Sequence, residues 1–147
     1  RSSDSVVRFV YHARHPFHPT RLNALLNEPW DGVLLAKGLF WVASRPGYAG
    51  ILDVAGGSRA SSSGGLWWAA VPPEQRPNSD AFREYVDAIW HPAFGDRHQE
   101  LSFVGIDVDE ETLRSRLDRC LLTDEELTEP ERWRTLPHPF PWPEELT

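Results

Sequence analysis

The sequence has 147 residues, the length of a single domain, and neither a repeat nor a linker divides it, so we predict one domain over residues 1–147. Its net charge of −7 argues against a nucleic-acid partner, because phosphates attract clustered Lys and Arg. We expect no membrane span and no signal peptide, since no apolar run approaches ~20 residues. The single cysteine excludes an internal disulfide and favours a cytoplasmic location.

The charge is distributed unevenly along the chain. Residues 1–73 have 7 Lys and Arg against 4 Asp and Glu, a net charge of +3. Residues 74–147 have 8 against 18, a net charge of −10. An acidic second half would suit a basic partner, for example another domain of the same parent protein; the alternative is a set of solvated helix faces.

The first half of the sequence predicts strands around one short helix. Val7, Phe9 and Tyr11 alternate with their neighbours, which predicts a strand over residues 5–12. Pro19 suits the first position of a helix over residues 19–28. Further strands are predicted over residues 32–44, 48–54 and 66–71, and the first of these is expected to have a bulge at Lys37-Gly38. The Gly/Ser-rich stretch 56–65 is predicted to be a hairpin loop or a weak edge strand.

The second half predicts mainly helices. Asn78 or Ser79 can cap a helix whose apolar face is formed by Phe82, Tyr85, Val86, Ile89 and Trp90. A strand follows at 100–106, then a helix capped by Asp109 and a short turn with the capping-box pattern Thr123-x-x-Glu126. The Pro- and Trp-rich tail from Pro130 onward is expected to wrap the surface.

These elements predict the fold class. Short turns between strands favour antiparallel pairing, and amphipathic helices must bury their apolar faces. We therefore predict an α+β fold, in which an antiparallel sheet of four to six strands has about three helices packed on one face.

Three histidines are candidate zinc ligands. His12, His15 and His18 form an H-x-x-H-x-x-H pattern, and imidazole nitrogens are common zinc ligands. The spacing is unfavourable, because residues three apart in a strand point to opposite faces, and Pro16 and Pro19 prevent a helix through all three. The alternative is a set of surface and capping histidines.

A second candidate cluster is Asp96-x-His98-x-Glu100. In an extended segment these alternate residues share one face, where two carboxylates and an imidazole can hold a divalent metal or act in acid–base chemistry. The alternative is a charged strand edge that prevents aggregation. An independent hydrolase that uses Asp96 and Glu100 is disfavoured, because no activated nucleophile accompanies them.

Tryptophans are candidate anchors for a partner protein. Trp67 and Trp68 are predicted to point to opposite sides of a strand, so one of them faces away from the core. Trp133 and Trp142 in the tail present the same choice between core and interface. The only cysteine, Cys120, is predicted to be a buried core thiol, because it shares a helix face with leucines.

Phosphate-binding and nucleophile motifs are absent from the sequence. It contains no G-x-x-x-x-G-K-[ST] loop, no G-x-S-x-G elbow and no H-E-x-x-H helix. Two glycine pairs bracket residues 58–63, but no lysine follows the second pair. We therefore predict no catalytic residue and no bound cofactor within this chain.

Five segments, taken in order, resemble the C-terminal domain of CobW-type P-loop GTPases. That domain begins with a strand, which is followed by an Arg-Pro-Phe-His-Pro stretch. Three further strands contain a Lys-Gly-aromatic motif, a pair of tryptophans and a Gly-Asp-Arg-x-Gln-Glu-Leu motif, and a helix follows at the end. The corresponding segments here are Ser5–Pro19, Lys37–Ala43, Leu66–Ala69, Gly95–Gly105 and Leu117–Asp124. His18, Asp96 and Glu100 match the pattern, whereas His15 and His98 stand where arginine is usual. The departure argues against a shared metal-ligand role for those two histidines, and His18, Asp96 and Glu100 are interpreted as shared structural or interaction positions.

The resemblance implies a function for the parent protein. CobW-like proteins pair an N-terminal GTPase domain, which binds GTP and magnesium and has a Cys-x-Cys-Cys motif, with a C-terminal domain of this kind. They are regarded as metallochaperones for zinc, cobalt or iron, with links to zinc homeostasis and cobalamin biosynthesis. The expected partners of this chain are the GTPase domain of the same parent and a client metalloprotein.

Two functional hypotheses follow. The first is a non-catalytic interaction module that docks a client or senses the state of the GTPase. The alternative is an accessory domain that itself binds zinc or cobalt through histidines and carboxylates. The absence of methionine, including an initiator, is expected for a piece of a longer protein; the alternative is a processed N-terminus.

Overall fold

Residues 5–142 are described by a computed structural model, which confirms the predicted α+β class with a five-stranded antiparallel sheet. None of the helices in residues 5–142 is long and apolar enough to cross a membrane. The strands and α-helices are, in chain order, β1 (Val6–Ala13), α1 (Pro19–Leu26), β2 (Val33–Phe40), β3 (Tyr48–Ala55), β4 (Ser58–Leu66), α2 (Asp80–Ile89), β5 (Gln99–Ile106), α3 (Glu110–Asp118) and α4 (Asp124–Leu127).

The sheet has the strand order β1-β5-β2-β3-β4. β5, the last strand within residues 5–142, inserts between β1 and β2 and pairs with β1 along its whole length, from Val6 opposite Ile106 to Ala13 opposite Gln99. β1 and β4 are the edge strands. The antiparallel pairing brings the ends of β1, β2 and β4 and the starts of β3 and β5 together at one end of the sheet, which we call the upper end.

The main core lies between one face of the sheet and helices α1 and α3. Alternation in β1 and β5 directs Phe9 and Phe103 to this face, where their rings stack with centroids 4.9 Å apart. Leu22 of α1 and Leu117 of α3 are also almost completely buried. The other fully buried side chains of this core include Tyr11, Phe17, Leu25, Phe40, Leu52, Val54, Leu101 and Leu113. Cys120 is buried here as well, as predicted.

The structure confirms the predicted helix caps. They could be predicted from the sequence because capping depends only on residues close in sequence. Each capping side chain accepts a backbone N–H of the first helical turn. The caps are His18 for α1, Ser79 for α2, Asp109 for α3, and Thr123, which forms a capping box with Glu126, for α4.

The Gly/Ser-rich stretch is an edge strand, so its interpretation as a loop was wrong and the edge-strand alternative is correct. Only Gly56 and Gly57 form the hairpin turn, and β4 then pairs with β3 from Ala55↔Ser58 to Tyr48↔Leu66. The ladder hydrogen bonds that β3 offers outweigh the weak strand propensity of glycine and serine. β2 is shorter than predicted, because the chain turns away after Phe40 and Val42 bridges to Phe17.

Two further local predictions were wrong. The predicted strand at 66–71 is a 3₁₀ turn over Trp68–Ala70 that follows the buried Trp67. The bulge of β2 lies between Val33 and Leu35, and Gly38 is regularly paired. Gly38 has φ +153°, and a Cβ there would lie 1.9 Å from the carbonyl oxygen of Glu100, so only glycine fits between the two strands.

The C-terminal segment closes one side of the core. It forms a 3₁₀ helix over Pro130–Thr135 and then an extended stretch in which Phe140 and Trp142 are buried against Phe40. The predicted tail therefore contributes to the core as well as covering it. Its last five residues, 143–147, lie outside the described part of the chain.

Candidate functional site

The face of the sheet opposite the main core is open, and it is the first candidate surface. Val10, Leu35, Leu39 and Ile51 lie on this open face and are between 37% and 44% exposed. Strand register aligns them, since Leu39 pairs with Ile51 on one side and with Glu100 on the other. The exposed charged side chains of the same face are Arg8, His12, Lys37, Asp53 and Glu100.

Helix α2 borders the open face at the upper end and buries none of its residues. Its apolar side is formed by Phe82, Tyr85, Val86 and Ile89. Phe82 packs edge-on against Trp68 with centroids 5.0 Å apart, and Tyr85 is 44% exposed. An amphipathic helix normally buries its apolar side, so α2 has the pattern of a helix that meets another surface.

One imidazole and one carboxylate of the second predicted cluster lie together at the upper end. His98 Nε2 is 3.4 Å from an Oε1 oxygen of Glu100, and the side chains are 12% and 54% exposed. His98 Nδ1 bonds to the carbonyl oxygen of Asp96 at 2.8 Å, and its ring packs on Trp67 with centroids 5.6 Å apart. The ring of His98 is therefore fixed in place, whereas Glu100 is exposed to solvent.

His12 joins this pair through the register of the sheet. It lies directly opposite Glu100 in the β1–β5 ladder, on the same face, and is exposed. A shallow cavity of about 290 Å³ is lined by His12, His98 and Glu100 together with Arg14 and Ile89. Within residues 5–142 no group of three or more His, Cys, Asp or Glu side chains is placed so that it could hold a metal ion.

The other two histidines of the H-x-x-H-x-x-H pattern lie in different surroundings. His15 packs edge-on against Phe94, with centroids 5.9 Å apart. His18 caps α1 by accepting the backbone N–H of Thr20 at its Nδ1. Burial is the main cause that lowers the pKa of His18, and the nearby Arg21 lowers it further. The three histidines of the motif therefore do not converge.

Asp96 has a structural role in the described chain. Its side chain is 2% exposed, and its two oxygens accept the backbone N–H groups of Trp68 and Ala69 at 2.9 and 2.8 Å. Both carboxylate oxygens are thus engaged in holding the 3₁₀ turn. Asp96 supports the site indirectly, because its carbonyl oxygen orients His98.

Two of the candidate tryptophans do not present their rings to solvent. Trp67 is 4% exposed and belongs to a small second core with Trp41 and Ala49, while Trp142 is 8% exposed in the main core. Trp68 and Trp133 are partly exposed, and Trp133 packs against Trp41 with centroids 6.3 Å apart. Four other exposed apolar side chains, Val10, Leu35, Leu39 and Ile51, lie on the open face of the sheet.

A Ser–His pair with a buried serine was also missed by sequence analysis. Ser44 Oγ and His138 Nδ1 share a hydrogen bond of 2.6 Å, across 94 residues of sequence. Ser44 is only 2% exposed, so a substrate cannot reach its hydroxyl. The pair ties the C-terminal segment to the turn after β2. Burial, together with Arg45, lowers the pKa of His138 to about 4.

This lowered pKa predicts an acid-sensitive stability. The folded chain holds His138 neutral, whereas the unfolded chain protonates it near its ordinary pKa of 6.5. The unfolded state thus binds more protons between these values, so stability should decrease as pH falls from about 6.5 towards 4 and level off below. Thermal midpoints measured across this range should fall less steeply for His138→Gln than for the wild type. Equal slopes for the two chains would contradict the assignment.

Comparisons with known proteins identify the same family as the resemblance found in the sequence. Residues 6–121 match the family described as the cobalamin synthesis protein cobW C-terminal domain. The protein named Zinc chaperone Rv0106, from Mycobacterium tuberculosis (strain ATCC 25618 / H37Rv), is 35% identical over 141 residues, which cover 95% of this chain and 35% of the relative. The Zinc-regulated GTPase metalloprotein activator 1 of Dictyostelium discoideum is 38% identical over 143 residues, which cover 94% of this chain and 30% of the relative.

A solved structure has a similar fold. The Zn(II)-bound YjiA GTPase from E. coli superposes with a TM-score of 0.52 at 16% identity, over 80% of this chain and 30% of that chain. At this identity the similarity concerns the fold alone. The chain spans about a third of the length of the curated relatives it matches.

Proposed function

The chain belongs to the CobW C-terminal domain family, and from this premise we propose that it is the non-catalytic regulatory domain of a GTP-dependent metallochaperone. The names of two relatives, a zinc chaperone and a zinc-regulated GTPase metalloprotein activator, favour zinc as the cargo over cobalt or a role in cobalamin biosynthesis. A GTPase half of the same parent would bind GTP and magnesium and hydrolyse GTP. This domain would regulate that half and help to present the complex to a client metalloprotein.

The open face of the sheet is the proposed contact with the GTPase half. The observation that carries the proposal is the aligned set of exposed apolar side chains at Val10, Leu35, Leu39 and Ile51. Exposed apolar patches of this kind on a domain mark interaction surfaces. Relatives have about two thirds of their length outside the matched region, so they contain enough additional chain to form a second domain that covers this face.

The composition of the open face suits a contact that opens and closes. Lys37 and Asp53 face each other across the β2–β3 ladder, among the apolar side chains. Interfaces between domains of one chain are more polar than permanent ones, and relative motion is expected across them. The apolar side of α2, at the border of the face, would extend the same contact.

Binding measurements with the GTPase half of the parent test this proposal. Titration calorimetry should detect an association with the chain that differs between GDP and a non-hydrolysable GTP analogue. The double variant Leu35→Lys/Ile51→Lys places two charges in the open face at positions that do not pair with each other. It should weaken the association by at least about tenfold, or 1.4 kcal/mol.

Leu34→Lys is the matched control. Leu34 is 49% exposed, next to Leu35, but lies at the β-bulge outside the aligned rows. It should leave the association unchanged. Equal weakening by both variants, or no association with the GTPase half at all, would contradict docking through the open face. Association with a client protein alone would assign the face to the client instead.

A further inference from the structure

The outer edge of β4 has little of the protection that edge strands normally have. Its only neighbour in the sheet is β3, and the ladder between them is regular from Ser58 to Ser63. Proteins usually protect such an edge with lysine, proline or a covering element, but Ser58–Ser63 has one charged residue, Arg59, and neither lysine nor proline. We propose that two copies of this chain associate by antiparallel pairing of their β4 edges, which gives one continuous sheet with five strands from each copy.

The hairpin determines which residues of β4 direct their backbone groups outward. Ala55 and Ser58 flank the two-residue turn, and the residues that flank such a turn bond to each other through their backbones. Backbone groups alternate along an antiparallel strand, so the even-numbered residues of this stretch bond to β3. The N–H and C=O groups of Arg59, Ser61 and Ser63 therefore point outward, and within residues 5–142 they have no other hydrogen-bond partner.

This strand is complementary to itself in one register. A twofold axis through Ser61 places this residue opposite its own counterpart, and it places Arg59 opposite Ser63 of the second copy. Every outward N–H group of these three residues then donates to a C=O group of the other copy. On the open face the same register places Ala60 opposite Ser62, so that only small side chains meet.

The charge of the strand is compatible with pairing between identical copies. Arg59 donates to the carbonyl oxygens of Leu26 and Glu28 at 2.7 and 2.5 Å, and its guanidinium lies 4.3 Å from the centre of the Trp30 ring. These contacts hold the positive charge on its own copy. In the proposed register the two Arg59 residues are four positions apart, or about 13 Å, which exceeds the Debye length of about 8 Å at physiological ionic strength.

The two edges of the sheet differ in how well they are covered. At the β1 edge, Arg114 of α3 donates to the carbonyl oxygen of Val10 at 3.1 Å, so a side chain already occupies part of that edge. Beside β4 there is a shallow cavity of about 170 Å³, which is lined in part by Arg59, Ser61 and residues 139–141. The β4 edge is therefore the one with room for a further strand.

The short paired segment makes this a weak association. It buries less than the ~1,200 Å² at the lower limit of stable interfaces, so we expect a dissociation constant on the order of 100 µM. Sedimentation of the chain between about 10 µM and 1 mM should show an equilibrium between monomer and dimer. The inference does not depend on the proposed contact with the GTPase half, because it uses backbone groups at the edge of the sheet.

Two double variants with charges at the same positions test the register. Ala60→Lys/Ser62→Lys places lysines opposite each other between the copies and should weaken dimerisation at least tenfold at low salt. Ala60→Lys/Ser62→Glu is the matched control, because opposite charges then meet, and it should dimerise at least as tightly as the wild type. Both side chains are exposed, so folding should be retained, and circular dichroism verifies this.

A cysteine on the proposed axis tests the same geometry. Ser61→Cys should oxidise to a covalent dimer, because the Cα atoms of a hydrogen-bonded pair lie about 5.5 Å apart, within disulfide reach. Ser58→Cys is the control, since its counterpart lies six positions away, or about 20 Å, and it should stay monomeric. Cys120 is buried and should not react.

Three results would overturn the proposal: a chain that is monomeric up to 1 mM, equal weakening by both double variants, or equal cross-linking of both cysteines. A monomeric chain whose binding to the GTPase half is lost in the lysine double variant would assign the β4 edge to that half instead.

Discussion

Gln99→Leu should destabilise the domain by about 3 to 5 kcal/mol, because it removes a buried side chain that bonds to three backbone groups. Gln99 is completely buried at the start of β5. Its Oε1 accepts the N–H of Trp41 at 2.8 Å, and its Nε2 donates to the carbonyl oxygens of His15 and Trp41, each at 2.9 Å. Leucine has a similar volume but leaves the Trp41 N–H and the His15 carbonyl unpaired in the interior.

Urea unfolding at neutral pH measures this effect. Ser102→Leu is the matched control, since it replaces a polar residue by leucine at an exposed position of the same strand. Its effect should stay within about 0.5 kcal/mol. A loss below about 1 kcal/mol in Gln99→Leu would mean that water reaches the freed backbone groups and that the upper end of the sheet is less tightly closed than described.

Features governed by neighbouring residues were predictable from the sequence. The alternation of Val7, Phe9 and Tyr11 identified β1, and the capping residues Ser79 and Asp109 identified the starts of α2 and α3. Both signals are local, because side-chain direction in a strand has a period of two and a cap bonds to an amide two or three residues later.

Features governed by distant partners were not predictable in this way. The stretch after Leu66 has the composition of a strand, but Asp96, 27 and 28 residues away, accepts two of its backbone N–H groups and holds a 3₁₀ turn. Conversely, β4 has the composition of a loop and becomes a strand because β3 pairs with it. In both cases long-range hydrogen bonds outweigh local propensity.

The cluster of His12, His98 and Glu100 at the upper end of the sheet has the same dependence on distant pairing. His12 and Glu100 were both identified as candidate ligands, but in separate motifs. Their proximity follows from the insertion of β5 beside β1 and from the exact register that places these two residues opposite each other. A shift of one residue would move one of them to the core face. The sequence therefore identifies the donor types, and only the topology identifies which of them meet.

Asp96→Ala should destabilise the domain by about 3 kcal/mol, since it removes two hydrogen bonds from a buried carboxylate to the backbone of Trp68 and Ala69. Asp96→Asn should cost less, because its amide oxygen can still accept one of the two N–H groups. Asp53→Ala, at an exposed carboxylate of the open face, should change stability by no more than about 0.5 kcal/mol. Urea unfolding of the three variants should show the largest loss of stability for Asp96→Ala, a smaller loss for Asp96→Asn and the smallest change for Asp53→Ala.

Hydrogen exchange separates this anchoring role of Asp96 from a role as a direct metal ligand. In Asp96→Ala the amides of Trp68 and Ala69 should exchange much faster than in the wild type, while those of the β1–β5 ladder stay slow under native conditions. An alanine variant with unchanged stability and unchanged exchange, but with lost zinc binding, would make Asp96 a ligand instead. The N–H groups of Trp68 and Ala69 have no other acceptor among the described contacts, which argues for the anchoring role. They also explain why a side chain with two acceptor oxygens is needed at this position.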